Sequence, residues 1–267
     1  MLSKRKCEAK VIAASKLAEN VFELWLETEL AENARAGCFI ALFPHDASTL
    51  LPRPISICEV NEAKTALRVV YRIAGKGTTE FSTYKAGDYV NIIGILGNGY
   101  PLEEAEGKRV LLMGGGIGVP PILELAKSLK NCEKIIVLGY RDRELFLKED
   151  LEKYGKVYIA TEDGSVGIKG NVMDVIREEK INADLIYTCG PMPMLRAIKR
   201  FAMENGMKAY LSLEERMACG VGACLGCVCK TTKKDHHSHV NNARICTDGP
   251  VFLADDVAIL PEDMEEK

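Results

Sequence analysis

Four short apolar runs, "RVLLMG", "KIIVLGY", "KVYIATEDG" and "DLIYTCG", follow one another between about residue 107 and residue 210. Each is followed by a stretch with helical spacing: "PPILELAKSLK", "ELFLKEDLEKYG", "NVMDVIREE" and "MPMLRAIKRFAMENG". Short runs rich in branched residues read as buried strands. Strands that alternate with helices pair in parallel, and the crossover helices cover both faces of the sheet. The alternation therefore predicts an α/β domain over residues 103–210, with a parallel sheet of the dinucleotide-binding kind.

Neither flank shares that rhythm. Residues 1–102 hold strand-like segments such as "VFELWLET" and "LRVVYRIAG", punctuated by Gly37, Asn61, Gly75, Gly87 and Gly97–Gly99. Close strand spacing with few helix patterns predicts an antiparallel barrel. One short helix is expected near Thr79 to Tyr84. Residues 211–267 lose periodicity altogether: glycines and cysteines come first, then the polar loop "KTTKKDHHSHVNNAR", then "ICTDGPVF". Such a segment is too poor in apolar residues for much of a core and needs a bound group to hold it. The fold class is thus multidomain, β plus α/β, with a small C-terminal module.

The chain has ten cysteines, and five of them lie between positions 219 and 246. Their spacing is Cys219-x4-Cys224-x2-Cys227, with Cys246 beyond the polar loop. That is the plant-type pattern for a [2Fe-2S] cluster, with Cys219, Cys224, Cys227 and Cys246 as ligands. Gly220, Gly222, Ala223 and Gly226 let the backbone wrap closely and leave N–H groups able to face sulfur. Structural zinc favours two short paired knuckles, and only one C-x2-C is present. Cys229 breaks the spacing and reads as a bystander. His236, His237 and His239 sit in the polar loop and read as solvated.

"MGGGIGVPP" joins the first parallel strand to its helix. Gly115, Gly116 and Gly118 there bring backbone amides near a pyrophosphate at a helix N-terminus. The next strand ends at "RDRE". Asp142 would accept from a ribose hydroxyl and favour NAD, whereas Arg141 or Arg143 would receive a 2′-phosphate. Both readings stand at this point, with NAD preferred. Cys189, at the end of "DLIYTC", either approaches the nicotinamide or fills the core.

"RPIS" and "VYRIAGKGT" in the first region, ahead of a nucleotide fold, resemble the ferredoxin-NADP reductase superfamily. That resemblance implies an FAD-binding barrel, with Arg53 at the pyrophosphate and Ser56 near flavin N5. Many members carry Tyr where Ile55 stands. A narrower resemblance covers nearly the whole chain in order: "RPISI", "YRIAGKGT", "LGNGY", "GGGIGVPP", "CGPMPML", "EERMACGVGACLGCVCKT" and "CTDGPVF". Together these resemble the electron-transfer subunits of type B dihydroorotate dehydrogenases. By that resemblance FAD contacts Arg53, Pro54, Ile55, Ser56, Val70, Tyr71, Arg72, Gly77 and Thr78. It also implies a separate FMN-containing catalytic subunit that oxidises dihydroorotate in pyrimidine biosynthesis. The two kinds of subunit would form a heterotetramer of two each, passing electrons through [2Fe-2S] and FAD to NAD+. The alternative is the small subunit of a sulfide dehydrogenase or of an NADH-dependent ferredoxin-NADP oxidoreductase. Those relatives often depart at the first cluster ligand, where this chain has Cys219.

Composition narrows the partners. A net charge of -3 and 6% aromatic residues do not suit a nucleic-acid binder. The longest uncharged stretch is broken by glycine and proline and is too short to span a membrane, and no signal peptide is visible. The expectation is a cytoplasmic oxidoreductase subunit using FAD, a [2Fe-2S] cluster and NAD(H), with no general acid or base to nominate.

Overall fold

The computed structural model describes residues 4–234 and 239–264. Strands β1 (Arg5–Ala18), β2 (Val21–Glu27), β3 (Phe39–Phe43), β4 (Arg53–Val60), β5 (Ala66–Arg72) and β6 (Tyr89–Leu96) close into a barrel in the order β1-β2-β5-β4-β3-β6. Every neighbouring pair is antiparallel. Alternation places Leu24, Leu26, Ile40, Leu42, Ile57, Leu67, Val69 and Ile92 in the barrel core. The first helix, α1 (Lys76–Phe81), begins three residues before the expected Thr79. The cause is local. The Thr78 hydroxyl accepts from the amides of Ala74 and Gly75, at 2.8 and 3.2 Å, and closes the turn early.

The second region is the predicted alternation, in chain order: β7 (Arg109–Gly115), α2 (Val119–Ser128), β8 (Glu133–Tyr140), α3 (Lys148–Glu152), β9 (Lys156–Thr161), β10 (Ile168–Lys169), α4 (Val172–Glu178), β11 (Leu185–Cys189), α5 (Met192–Glu204) and β12 (Lys208–Ser212). These strands pair in parallel in the order β10-β9-β8-β7-β11-β12. One face buries α2 and the other α4 and α5, giving two apolar cores separated by the sheet. Five-residue β12 runs across position 210, so the sheet extends further than the sequence rhythm.

The C-terminal segment adds β13 (Val228–Lys230), β14 (Asn242–Arg244) and β15 (Val251–Leu253). The first two form a small hairpin. The last pairs antiparallel with β12 and becomes the seventh strand of the sheet. The module shares the sheet domain's core: Cys227, Ile245, Cys246, Val257 and Ile259 are buried in the same apolar cluster as Leu111, Ile186 and Ile198. A segment too poor in apolar residues for a core has borrowed one.

A polar seam joins barrel and sheet domain. Arg68 on β5 donates to Glu23, Glu59 and, across the seam, Asp150 on α3, at 2.7, 3.3 and 3.0 Å. Lys127 on α2 reaches back to Glu59 at 3.3 Å.

Candidate cofactor sites

The cysteine loop comes first. Cys219 and Cys224 sit with their sulfurs 3.4 Å apart. The amide of Cys224 donates to Cys219 Sγ at 3.4 Å, and that of Gly226 to Cys224 Sγ at 3.5 Å. Gly220 and Gly222 take φ of +67° and +87°, the left-handed turn that lets the loop curl round its own sulfurs. Cys227 and Cys246 are brought together by the hairpin: Val228 pairs with Arg244, and Ile245 donates to the Cys227 carbonyl at 2.9 Å. Both are buried, whereas Cys219 and Cys224 are half-buried.

The thiols divide electrostatically. Burial opposes ionisation of Cys219, but the amides of Val221, Cys224 and Ala223 outweigh it and bring its pKa down to about 6. Burial and the adjoining Cys227 push Cys246 up to about 12. Four thiolates in so small a volume require bound cations to stay ionised together. Among the described residues no three Cys, His, Asp or Glu side chains are set for a single metal ion. Two pairs fit a two-iron group, which takes two protein ligands on each iron, better than one tetrahedral zinc. Cys229 lies on β13 opposite Ala243, half-buried, its thiol pushed up to about 11 chiefly by burial. His236 and His237 lie outside the described residues; His239 is exposed.

At the mouth of the barrel, "RPIS" opens β4, with Arg53 opposite Leu42, Pro54 opposite Ala41, Ile55 opposite Ile40 and Ser56 opposite Phe39. Arg53 donates to the Leu51 carbonyl at 2.6 Å. A β-carbon on Gly77 would lie 3.0 Å from Arg53 Nε and 2.9 Å from Pro44. Glycine thus allows the first turn of α1, with its free amides, to close on the guanidinium. A guanidinium beside free amides matches a pyrophosphate. The Thr78 hydroxyl is occupied, also donating to the Gly75 carbonyl at 3.0 Å, so its available donor is the backbone N–H. On β5 the three predicted residues diverge. Val70 packs into the sheet domain's core. Tyr71 points into the barrel between Phe22 and Phe81, its hydroxyl without a partner among the described residues. Arg72 alone presents its side chain outward, and a β-carbon on Gly116 would sit 3.6 Å from its guanidinium.

Between barrel and sheet lies a cavity of about 600 Å³ at the carboxyl ends of the parallel strands, lined by Gly115, Gly116, Gly118, Asp142, Gly190 and Arg72 among others. The glycines answer to packing as well as to a ligand. A β-carbon on Gly118 would lie 2.3 Å from the Cys189 carbonyl oxygen, and one on Gly115 would meet Met194 at 2.4 Å. Cys189 itself is 1% exposed and packs in the core; Gly190 and Pro191 face the cavity in its place. Burial raises its thiol pKa.

Asp142 and Arg141 line the cavity, and Asp142 also accepts the Glu144 amide at 2.9 Å. Glu144, Glu162, Asn171 and Glu214 join them, unannounced by any motif. Each sits just beyond a different strand, so no local spacing marks them. Glu214 has its pKa raised by the protein packed around its carboxyl, against the opposing charge of Arg72. Among the described residues no helix is long and apolar enough to cross a membrane.

Residues 214–258 match the family described as the iron-sulfur cluster binding domain of dihydroorotate dehydrogenase B. The electron transfer subunit of dihydroorotate dehydrogenase B (NAD(+)) from Bacillus velezensis is 42% identical over 96% of this chain and 100% of its own length. That from Streptococcus pneumoniae is 44% identical over 94% of this chain and 97% of its own length. A solved structure of the NADH-dependent reduced ferredoxin-NADP oxidoreductase superposes with a TM-score of 0.82 at 27% identity, covering 96% of this chain and 94% of that one. With a barrel, a parallel-sheet cavity and a paired-cysteine module in one continuous match, the chain belongs to the family of electron transfer subunits of NAD(+)-linked dihydroorotate dehydrogenase B.

Proposed function

We propose that this chain carries electrons from an FMN-containing, dihydroorotate-oxidising partner, through [2Fe-2S] and FAD, to NAD+. The observation that carries the reading is the cysteine module, in which Cys219 with Cys224 and Cys227 with Cys246 form two pairs packed against the barrel and sheet that would hold the other two groups. A flavin exchanges both hydride and single electrons, which is what joining a one-electron cluster to NAD requires. Residues 1–102 would hold FAD, 103–210 NAD(H) and 211–267 the cluster.

Arg53 and the first-turn amides of α1, Gly77 and Thr78 among them, neutralise the FAD pyrophosphate. Pro54, Ile55 and Ser56 continue along β4 and would contact the flavin, the Ser56 hydroxyl donating near N5. Val70, Tyr71 and Arg72 contribute backbone edge, and Arg72 adds its side chain. Gly115, Gly116 and Gly118 admit the dinucleotide to the strand ends, while Cys189 supports the floor from beneath. Asp142, Glu144 and Glu162 outnumber Arg141 on this stretch of the cavity wall, which favours ribose hydroxyls over a 2′-phosphate and so NAD over NADP.

Leu225, 78% exposed, and Val221 place apolar surface on the cluster loop, where a partner must approach closely for single-electron transfer. The assembly would be a heterotetramer of two subunits of each kind, in the cytoplasm, with no nucleic acid or membrane partner. The 42–44% identity to the orotate-pathway relatives favours this over the alternative of a ferredoxin-NADP oxidoreductase or sulfide dehydrogenase small subunit. Co-purification from the native organism tests it: the expected companion is an FMN protein that reduces this chain on addition of dihydroorotate. A companion that responds only to sulfide or reduced ferredoxin would overturn the reading.

A further inference from the structure

"LGNGY", Leu96 to Tyr100, begins on the final residue of β6 and takes no part in the sites described above. Each of its residues nevertheless meets a different part of the molecule. Asn98 donates its side-chain amide to two successive carbonyls, Thr247 and Asp248, both at 3.2 Å. Its backbone N–H donates to the next carbonyl, Gly249, at 2.6 Å. One barrel residue therefore holds the three carbonyls that immediately follow Cys246. Tyr100 turns the other way: its hydroxyl donates to the Thr188 carbonyl at 3.0 Å, beside Cys189 on β11. Gly97, at φ +76°, lets the two sides close, since a β-carbon there would lie 2.5 Å from Pro250 and 2.9 Å from Phe39. A β-carbon on Gly99 would lie 2.6 Å from the Ala36 carbonyl oxygen.

The motif also stands on the line between the flavin strand and the cluster loop. Ser56 on β4 pairs with Phe39 on β3, and Phe39 pairs with Leu96 on β6. A β-carbon on Gly220, next to Cys219, would lie 3.4 Å from Leu96 Cδ1. Ser56, Phe39, Leu96 and Gly220 thus form a continuous packed row from one site to the other.

We propose that Asn98 is a positioning residue that fixes the cysteine module against the end of the barrel and so sets the separation across which cluster and flavin exchange electrons. The inference rests on the two-cofactor reading given above. Asn98 is itself exposed, so its bonds contribute little to global stability and act on geometry. Electron transfer falls steeply with distance, so a small relaxation of this joint appears in a rate before it appears in stability.

The test is rapid mixing of the purified, cofactor-loaded chain with NADH, following flavin and cluster absorbance separately. NADH delivers two electrons to the flavin as hydride; one passes on to the cluster and one stays on the flavin. In Asn98→Ala the flavin should bleach at the wild-type rate, while cluster reduction slows tenfold or more at an unchanged cluster midpoint potential. Both variants keep the backbone bond to Gly249; Asn98→Ser, which also keeps one hydroxyl donor, should fall between. Wild-type cluster kinetics in both variants would overturn the proposal, as would a slowing fully explained by a shifted potential. Loss of iron from Asn98→Ser with FAD retained would also overturn it, because Asn98 would then retain the cluster rather than place it. Wild-type chain lacking FAD, or carrying zinc, would instead refute the two-cofactor reading itself.

Discussion

At the scale of single residues, the five clustered cysteines are not equivalent. Cys246 is fully buried against Cys227, whereas Cys229 sits on the hairpin opposite Ala243. Cys246→Ser is expected to remove most iron and acid-labile sulfide and the cluster's EPR signal. Cys229→Ala should retain all three at wild-type levels. The same scale separates the glycines of the β7–α2 turn. Gly118→Ala would press a methyl carbon against the Cys189 carbonyl at 2.3 Å, a backbone atom with no freedom to withdraw. Overpacking of this kind costs about 1–3 kcal/mol. The expected outcome is a lower melting temperature together with a raised KM for NADH, since the turn moves with the strain.

At the scale of elements, the C-terminal segment is tied to helix α5. Lys199, on α5 and 2% exposed in its side chain, donates to the Val257 carbonyl at 2.7 Å and pairs with Asp263 at 2.6 Å. Arg196 adds a bond to the Ile259 carbonyl at 2.7 Å. Asp263→Ala strands a buried ammonium and should destabilise the protein by about 3–5 kcal/mol, read as a fall in melting temperature. Lys199→Met should cost less, because Asp263 is the partner that reaches water. Burial alone would raise the Asp263 pKa, but the Lys199 ammonium and the Leu260 amide reverse that and hold it below the usual carboxylate range. A lowered folded pKa contributes stability that is full above the unfolded value and is lost as pH falls through the folded one. The tail should therefore stay docked at neutral pH and release only under acid below the ordinary carboxylate range, which limited proteolysis against pH would detect.

Element scale is also where the sequence was most and least legible. Strands β7, β8, β9 and β11 announce themselves as apolar runs between helices, and the barrel strands alternate. Three-residue β15 carries no period, and its pairing with β12 is a contact between distant segments, so nothing in "ICTDGPVF" marks it as a strand. The helix expected near Thr79 to Tyr84 lies at Lys76–Phe81 because a hydroxyl bond, not an apolar pattern, starts it. Cys219, Cys224 and Cys227 were readable as candidate ligands because spacing along one loop groups them, and Cys246 because the plant-type pattern calls for a distant fourth cysteine. Glu144, Glu162 and Glu214 were not, because the sheet alone brings their loops together.

For the whole molecule, the purified chain should carry one FAD and one [2Fe-2S] and look yellow-brown. It should oxidise NADH with an artificial acceptor and leave dihydroorotate untouched until its partner is added. Dihydroorotate oxidation by the chain alone, measured as orotate formed, would contradict the division of labour. The Arg68 seam and the "LGNGY" joint bear on that behaviour together: one ties barrel to sheet, the other ties both to the cysteine module.

The seventh strand of the sheet has a consequence for how the protein is made. β12 is an open edge from the moment Ser212 leaves the ribosome until Val251–Leu253 follow, and an unpaired edge is a template for pairing with other chains. The cysteines emerge inside that interval. The strand that covers this edge lies only a few residues beyond Cys246, so a chain cut short after the cysteines keeps all five of them and leaves the β12 edge bare.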